Sequence, residues 1–299
     1  MILLELISWS LITVTITKAI PMIYAALGGL FSERSGVVNI CLEGIMLTGA
    51  FSAVVFTHIT GSLWIGLLGA VIIGSLMGLL HGVLSIKFKV NQIVGGTAIN
   101  IFAAGATEYL IPVIYGKPGA TPPLAVTFER QSFFLSKYFL IYMAFVLVGL
   151  THLFLYRTSY GLRVRAVGEH PKAADTVGVN VYLTRYLCVI MSGALAAIGG
   201  AYLSIGESGL FSKGMTANRG FIALAALIFG KWTPWGTLGA CLFFGFCDNL
   251  QSTLQGKVPV PSEFMLMIPY VLTIIAIAGV IGRSRPPAAS GVPYDPSER

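Results

Sequence analysis

Two polar side chains stand within an apolar run near the start of the chain. The stretch SGVVNICLEGIMLTGA, residues 35–50, places Asn39 and Glu43 four residues apart. Side chains at that spacing share one face of an α-helix. An amide and a carboxylate on one face can bind a hydrogen-bonding solute. They can equally join neighbouring helices through hydrogen bonds worth roughly 0.6–2 kcal/mol each, and the sequence leaves both interpretations open.

A second polar stretch, VNQIVGGTAINI at residues 90–101, surrounds a Gly-Gly pair, and Glu207 follows a later apolar run. Ionisable and amide groups inside a membrane are costly, so they tend to face a cavity or a partner. We therefore predict a polar pathway for a small solute, with Asn39, Glu43 and Asn100 nearest its middle. The candidate pathway residues are Asn39, Glu43, Gln92, Thr97, Asn100 and Glu207.

The sequence lacks the motifs of several enzyme classes. The stretch AALIFGKW, residues 225–232, has Ala where a phosphate-binding loop needs its first Gly, and Trp where Ser or Thr holds Mg²⁺. The four histidines have no metal-like spacing, and the four cysteines lie in apolar runs as small packing residues. We expect no catalytic residue, no metal site and no cofactor bound by this chain. Uphill transport would then need an ion gradient or another subunit.

The elements that must position these residues are membrane helices. Of the 299 residues, 56% are hydrophobic and 10% are charged, whereas soluble domains carry about 25% charged residues. Runs of about 20 apolar residues can cross a hydrocarbon core roughly 30 Å thick. We predict an all-α, polytopic membrane bundle of about nine spans, with a range of eight to ten. The runs are 3–30, 37–58, 62–86, 90–116, 137–156, 184–205, 219–231, 233–250 and 263–282, of which 219–231 is the shortest.

The distribution of basic residues predicts the orientation. If residues 157–185 and the C-terminal tail are cytoplasmic, twelve Lys and Arg residues lie inside and six outside, as the positive-inside rule requires. The N-terminus then lies outside. The net charge of +7 follows from these cytoplasmic loops, so we expect no nucleic-acid partner.

Two patterns of small residues concern the packing of the helices. WIGLLGA at 64–70 and WGTLGA at 235–240 share a G-x-x-G-A core and run in opposite directions in the predicted topology. This predicts two inverted pseudo-repeats, an architecture common in transporters. Gly74, Gly78 and Gly82 recur at steps of four, which favours close approach of a neighbouring helix.

A polar insert, GLRVRAVGEHPKAADTVGVNV at 161–181, interrupts the apolar runs. Pro171 suits the first turn of a helix, Glu169 suits its positive end, and Gly178 suits its stop. We predict a short docking helix over residues 169–178, or alternatively a solvated basic loop. The residues expected to contact a partner are Arg165, Glu169, Pro171, Ala173, Ala174 and Gly178.

The insert resembles the coupling segment of permease subunits of ATP-binding-cassette (ABC) importers, in the branch for simple sugars, branched-chain amino acids and nucleosides. SERSGVVNICLEGIMLTGA, VNQIVGGTAINI and the closing PPAASGVPYD are similar to the nucleoside-uptake side of that branch. The resemblance covers nearly the whole chain. Cys41 stands where Ala is usual, and His170 where Asn is usual.

The resemblance implies a type II-like importer permease without ATPase activity. Residues 1–282 would form one transmembrane domain that contains the coupling helix, and residues 283–299 a cytoplasmic tail. The expected partners are a second, homologous permease in a heterodimer, a cytoplasmic ABC ATPase that holds ATP and Mg²⁺, an extracytoplasmic solute-binding lipoprotein and membrane lipid. The expected location is the bacterial inner membrane.

The solute and the energy source leave alternatives. A purine nucleoside is the first expectation, with riboflavin or a simple sugar as alternatives, because importers of all three share these motifs. An ion-coupled secondary carrier is a rival of another class, although it should show a buried acidic relay and work alone. A membrane scaffold or receptor is disfavoured by the polar groups in residues 35–50 and 90–101.

Overall fold

The computed structural model describes residues 9–126, 137–255, 267, 271 and 285–296. Within these ranges the chain is helical, and its only β-pairing is an isolated bridge between Ala120 and Ser212. The prediction of an all-α protein is confirmed for this part of the chain. The helices are α1 Trp9–Arg34, α2 Leu42–Thr60, α3 Leu63–Gly82, α4 Gln92–Tyr115, α5 Lys137–Arg157, α6 Ser159–Glu169, α7 Pro171–Thr176, α8 Val181–Ala201, α9 Arg219–Phe229 and α10 Pro234–Leu254.

Six helices in the described ranges are long and apolar enough to cross a membrane, and they make the protein multi-pass. They are α1 to α5 and α8, with α3 and α8 extended by the π-helical turns Val83–Lys87 and Tyr202–Ser208. The predicted 219–231 run forms the eleven-residue α9, which spans only about 16 Å. The predicted 263–282 run lies outside the described residues except for Met267 and Val271.

The two ends of the bundle are distinguished by what lies there. At one end, called the tail end, residues 285–296 contact α6, α8 and the turn after α1. At the other, called the loop end, residues 117–124 pair with residues 209–213 through bonds such as Thr121 N–H to the Phe211 carbonyl. Helices α1, α3, α5 and α9 run toward the tail end, and α2, α4, α8 and α10 run away from it.

Helix α8 forms the centre of the bundle and packs against α1, α2 and α3. Its contacts are close because small residues face one another. A Cβ added to Gly193 of α8 would lie 2.2 Å from the carbonyl oxygen of Gly74, and one added to Gly78 would lie 2.7 Å from the Val189 carbonyl oxygen. A Cβ added to Gly82 would lie 3.2 Å from the Tyr186 ring, which is a looser contact. Without a hydrophobic driving force in lipid, such backbone proximity supplies the packing energy.

Helix α4 is packed on one side only. Only 22% of an 18-residue apolar stretch of α4 is buried in this subunit, against 78% of the corresponding stretch of α8 and its π-helical extension. Ile101 and Phe102 are 70% and 60% exposed. Its buried side, which includes Ile99 and Ala103, packs against α2.

Candidate translocation site and coupling surface

The polar residues predicted from the sequence gather around a non-helical segment, residues 35–41, called the linking segment, that lies between α1 and α2. Backbone groups inside a membrane need partners within the protein. The Val38 N–H donates to Gln92 Oε1 at 2.7 Å, and the Val38 carbonyl accepts from His81 Nε2 at 2.9 Å. The Ile40 carbonyl accepts from Asn100 Nδ2 at 3.0 Å. Side chains of α3 and α4 thus replace the bonds that a helix would have made.

Asn39 fixes this segment in the interior of the bundle. It is fully buried, and its Nδ2 donates to Ser192 Oγ of α8 at 2.8 Å. Its Oδ1 accepts the Cys41 N–H at 3.1 Å, which closes the turn into α2. Ser192 lies eleven residues along α8 from Val181, or about 16 Å. The N-terminus of α2 therefore starts in the interior of the bundle rather than at its tail end.

Asn100 completes the start of α2 from outside that helix. Its Oδ1 accepts the N–H of Gly44 at 2.7 Å, one of the first-turn donors that a helix leaves unpaired. Cys41, at the N-cap, makes no side-chain cap bond. A Cβ on Gly44 would lie 2.8 Å from Asn100 Oδ1, so this glycine permits the contact.

Glu43 joins two helix N-termini. It lies in the first turn of α2, and its carboxylate accepts from the Thr216 hydroxyl at 2.6 Å, the Asn218 N–H at 3.0 Å and the Gly220 N–H at 2.7 Å. The last two donors open α9. A negative charge is stabilised at a helix N-terminus, and here one carboxylate serves two. Helices α2 and α9 run from this point to opposite ends of the bundle.

The remaining predicted pathway residues lie elsewhere. Thr97 is on the exposed side of α4, where its hydroxyl donates to the Ile93 carbonyl at 2.8 Å. Glu207 is exposed in the π-helical turn after α8, fifteen residues beyond Ser192. The structure therefore groups Asn39, Gln92 and Asn100 around the linking segment, with Glu43 in the first turn of α2, Thr97 on the open face of α4 and Glu207 apart from them. The prediction that Asn39 and Glu43 share one helix face is wrong, because α2 begins at Leu42 and leaves Asn39 outside the helix.

Sequence reasoning missed the partners contributed by the segment before α9. Thr216, Asn218 and Gly220 hold Glu43, and Arg219 lies 3.8 Å from Asp248 of α10, which also pairs with Lys18 at 3.7 Å. The signal available was the dense polar string SKGMTANRG at 212–220, which reads as an ordinary loop.

The predicted docking helix is present as α7, Pro171–Thr176, with Pro171 in its first turn. Gly178 follows with φ +83°, a left-handed conformation that stops the helix. Ala173 is exposed, whereas Ala174 is 3% exposed and packs against Val167, Val181 and Tyr294. Ala174 therefore supports the helix from within instead of forming its outer surface.

Two charged residues of the predicted docking set also have partners within the chain. The Arg165 guanidinium lies over the Tyr156 ring, 4.9 Å from its centroid. The Glu169 carboxylate accepts the Ala288 N–H of the tail at 3.2 Å. The outer surface of this region consists of Glu169, Pro171, Lys172 and Ala173 together with tail residues.

Comparison with known proteins identifies the family. The family model described as "Branched-chain amino acid transport system / permease component" matches residues 11–277. The guanosine ABC transporter permease protein NupQ of Bacillus subtilis is 42% identical over 312 residues, 97% of each chain. The nucleoside ABC transporter permease protein NupC of Lactococcus lactis is 39% identical over 92% of this chain and 93% of its own.

Two further relatives bear on the solute and the assembly. A putative glucose ABC transporter permease protein of Haloferax volcanii, TsgC13, is 37% identical over 82% of this chain and 78% of its own. NupP, a second guanosine ABC transporter permease protein of Bacillus subtilis, is 28% identical over 92% of this chain and 85% of its own. The resemblance to ABC importer permeases that the sequence motifs indicated is confirmed. This chain belongs to the family of permease components of branched-chain amino acid transport systems.

Proposed function

We propose that this chain is a permease subunit of an ABC importer for nucleosides, with a purine nucleoside such as guanosine as its solute. The observation that carries the proposal is full-length similarity to two permeases named for guanosine and nucleoside transport. The polar junction inside the bundle fits a pathway for a neutral solute rich in hydroxyl and amide groups. A sugar is the second candidate, because a putative glucose permease is 37% identical.

The proposed solute pathway runs along the open face of α4. Thr97 is exposed there, one helical turn before Asn100, whose Oδ1 accepts the N–H of Gly44, the residue after Glu43. Transporters often bind solute where the N-termini of discontinuous helices meet near the membrane midplane. The junction of α2 and α9 has this form. Asn39, Gln92 and Asn100 act in this proposal as supports of the site, since Asn39 Oδ1, Gln92 Oε1 and both polar atoms of Asn100 bond backbone groups.

The proposed topology has nine crossings, two of them discontinuous. Residues 35–60 cross as the linking segment followed by α2, and residues 209–229 cross as irregular backbone followed by α9. The direct successors of these crossings, α3 and α10, begin with the matching WIGLLGA and WGTLGA stretches and run in opposite directions. These features support two inverted repeats. The predicted ninth crossing, the run at 263–282, lies outside the described residues except for Met267 and Val271.

The proposed orientation puts the tail end in the cytoplasm. Arg34, Lys89, Arg157, Arg163 and Lys231 all lie at that end, as the positive-inside rule favours. Residues 1–282 then form the transmembrane domain, and residues 283–299 the cytoplasmic tail. The protein resides in the bacterial inner membrane, and its N-terminus is outside.

The proposed assembly contains two different permeases and a separate motor. Bacillus subtilis has two guanosine permease proteins, NupP and NupQ, and this chain is similar to both, which supports a heterodimer. A cytoplasmic ATPase binds ATP and Mg²⁺ and docks at the α7 region. A solute-binding lipoprotein delivers solute to the loop end.

The test is reconstitution of the co-purified complex in lipid, with ATP hydrolysis measured in the presence of guanosine, riboflavin or ribose. We expect guanosine to stimulate hydrolysis and to be taken up. Stimulation by ribose alone would favour the sugar importer. Uptake by this subunit without any ATPase would contradict the proposal and favour an ion-coupled carrier.

A further inference from the structure

The coupling region and the C-terminal tail form the two walls of one groove. The groove has a volume of about 470 Å³. One wall is the start of α7, and the other is the tail at Ala288, Ala289 and Val292. Ala173 and Val292 present apolar surface, whereas Glu169 and Lys172 bring opposite charges to the rim. Such a groove fits an apolar side chain of a protein surface flanked by charged groups.

The tail wall is attached firmly to the coupling region. The Ala289 N–H donates to the Gly168 carbonyl at 2.9 Å, at the end of α6. Tyr294 is 6% exposed and packs on Ala174 and Val181, and its ring stands 5.5 Å from that of Tyr182. A displacement of α7 therefore carries the tail with it.

The same tail is also bonded to the start of the linking segment, at Ser35 and Gly36. The Gly291 N–H donates to the Gly36 carbonyl at 3.1 Å. Arg185, 1% exposed, donates from Nη1 to the Val292 carbonyl at 3.1 Å and from Nε to the Ser35 carbonyl at 3.2 Å. Since residues 35 and 36 lead directly to Asn39, the tail connects the groove to the polar junction.

We infer that residues 285–296 are the second wall of the docking groove for the cytoplasmic ATPase and transmit its displacement to Ser35 and Gly36. The inference rests on the proposed function, because it requires that partner. Its support is the continuity of the groove with α7, its mixed charges and the double attachment of the tail. The tail is thus an interaction surface and a positioning element, not an appendage.

Photo-cross-linking in the intact complex tests the contact. A photoreactive phenylalanine analogue replaces Val292 in one variant, Ala173 in a second and Lys117, at the loop end, in a third. We expect the first two to cross-link to the ATPase and the third not to. Cross-linking from position 173 but not from 292, or from neither in a complex that retains its ATPase, would overturn the inference alone. If no ATPase co-purifies with the wild-type chain, the proposed function fails as well.

A pair of tail variants tests transmission. Tyr294→Ala removes the ring that anchors the tail, and Tyr294→Phe keeps it. We expect Tyr294→Ala to lower solute uptake per ATP hydrolysed by about fivefold or more, and Tyr294→Phe to remain close to wild type. An unchanged ratio in Tyr294→Ala, at equal amounts of assembled complex, would overturn transmission through the tail.

Discussion

The Glu43 carboxylate accepts the Gly220 N–H at 2.7 Å, and this bond ties the first turn of α2 to the first turn of α9. The two helices leave this point in opposite directions. A Cβ on Gly220 would lie 2.4 Å from the Glu43 nitrogen, so only glycine permits this approach. One side chain therefore fixes the inner ends of two crossings.

Glu43→Gln should weaken this junction. Three donors converge on the two carboxylate oxygens, and an amide would turn its NH₂ group toward at least one of them. Hydrogen bonds to a charged group are worth about 1.5–3 kcal/mol and neutral ones about 0.5–1.5. We expect a loss of roughly 1–3 kcal/mol and a strong fall in uptake, measured by thermal unfolding in detergent and by transport.

Glu108→Gln provides the control for Glu43. That carboxylate pairs with Lys213 but its side chain is 52% exposed, so its loss should cost less than about 1 kcal/mol. Equal unfolding temperatures for the two variants would argue against a structural role of the Glu43 junction.

Asn100 offers a graded experiment on the start of α2. Asn100→Leu removes partners from both the Gly44 N–H and the Ile40 carbonyl, whereas Asn100→Asp keeps an acceptor for Gly44. Each buried backbone group left unpaired costs about 1–3 kcal/mol. We expect stability in the order wild type, Asp, Leu, measured by thermal unfolding. An Asp variant less stable than the Leu variant would contradict this ranking.

Thr97→Val tests whether Thr97 contacts solute without altering the stability of the protein. The side chain is exposed on α4 and bonds only within its own helix, so removal of the hydroxyl should leave the unfolding temperature unchanged. If Thr97 contacts solute, the apparent KM for uptake rises severalfold, since a lost hydrogen bond is worth about 0.5–1.5 kcal/mol. An unchanged KM would remove Thr97 from the pathway.

Gly74→Leu should separate α3 from α8. An added Cβ would lie 2.3 Å from the Ala197 Cβ and 2.6 Å from the Gly193 carbonyl oxygen. Overpacking of this kind costs about 1–3 kcal/mol, which should appear as lower yield and a lower unfolding temperature. Gly149→Leu in α5 is the matched control, because nothing lies within 4 Å of its added Cβ. Similar losses in both would point to helix propensity rather than contact.

Gly36→Ala tests the contact between the tail and the linking segment. Gly36 has φ +92°, and its added Cβ would lie 2.9 Å from Arg185 Nη2 and 3.2 Å from the Ala289 carbonyl oxygen. Gly61→Ala, at φ +69° in open space, carries only the left-handed backbone cost of roughly 1–2 kcal/mol. We expect Gly36→Ala to be less stable and its tail to be cut faster by chymotrypsin after Tyr294, which is 6% exposed. Equal cleavage in both variants would be evidence against tail displacement.

The sequence predicts the helices better than their starting points. The apolar run at 37–58 predicts one continuous span, yet α2 starts only at Leu42. Val37, Val38 and Ile40 are apolar whether or not their backbone is helical, so their hydrophobicity does not reveal the linking segment. Gly36 and Asn39 were the only local hints. Hydrophobic periodicity shows which residues are apolar, but it does not show whether their backbone is helical.

The site was predictable in its residue types but not in its roles. Asn39, Glu43 and Asn100 were visible as costly polar groups in apolar runs, whereas the donors to Glu43 lie more than 170 positions away. Likewise, the stripe of Gly74 and Gly78 predicted a close neighbour without identifying Gly193. Contacts so distant along the chain follow from topology, which no local pattern contains.

The shallow attachment of α4 has a consequence for selectivity. In the proposed assembly, α4 forms one side of the solute pathway and the second permease forms the other, since only 22% of the apolar stretch of α4 is buried in its own subunit. Under that proposal, solute selectivity depends on both permeases. Swapping the second permease for a relative should redirect uptake while every residue of this chain stays the same.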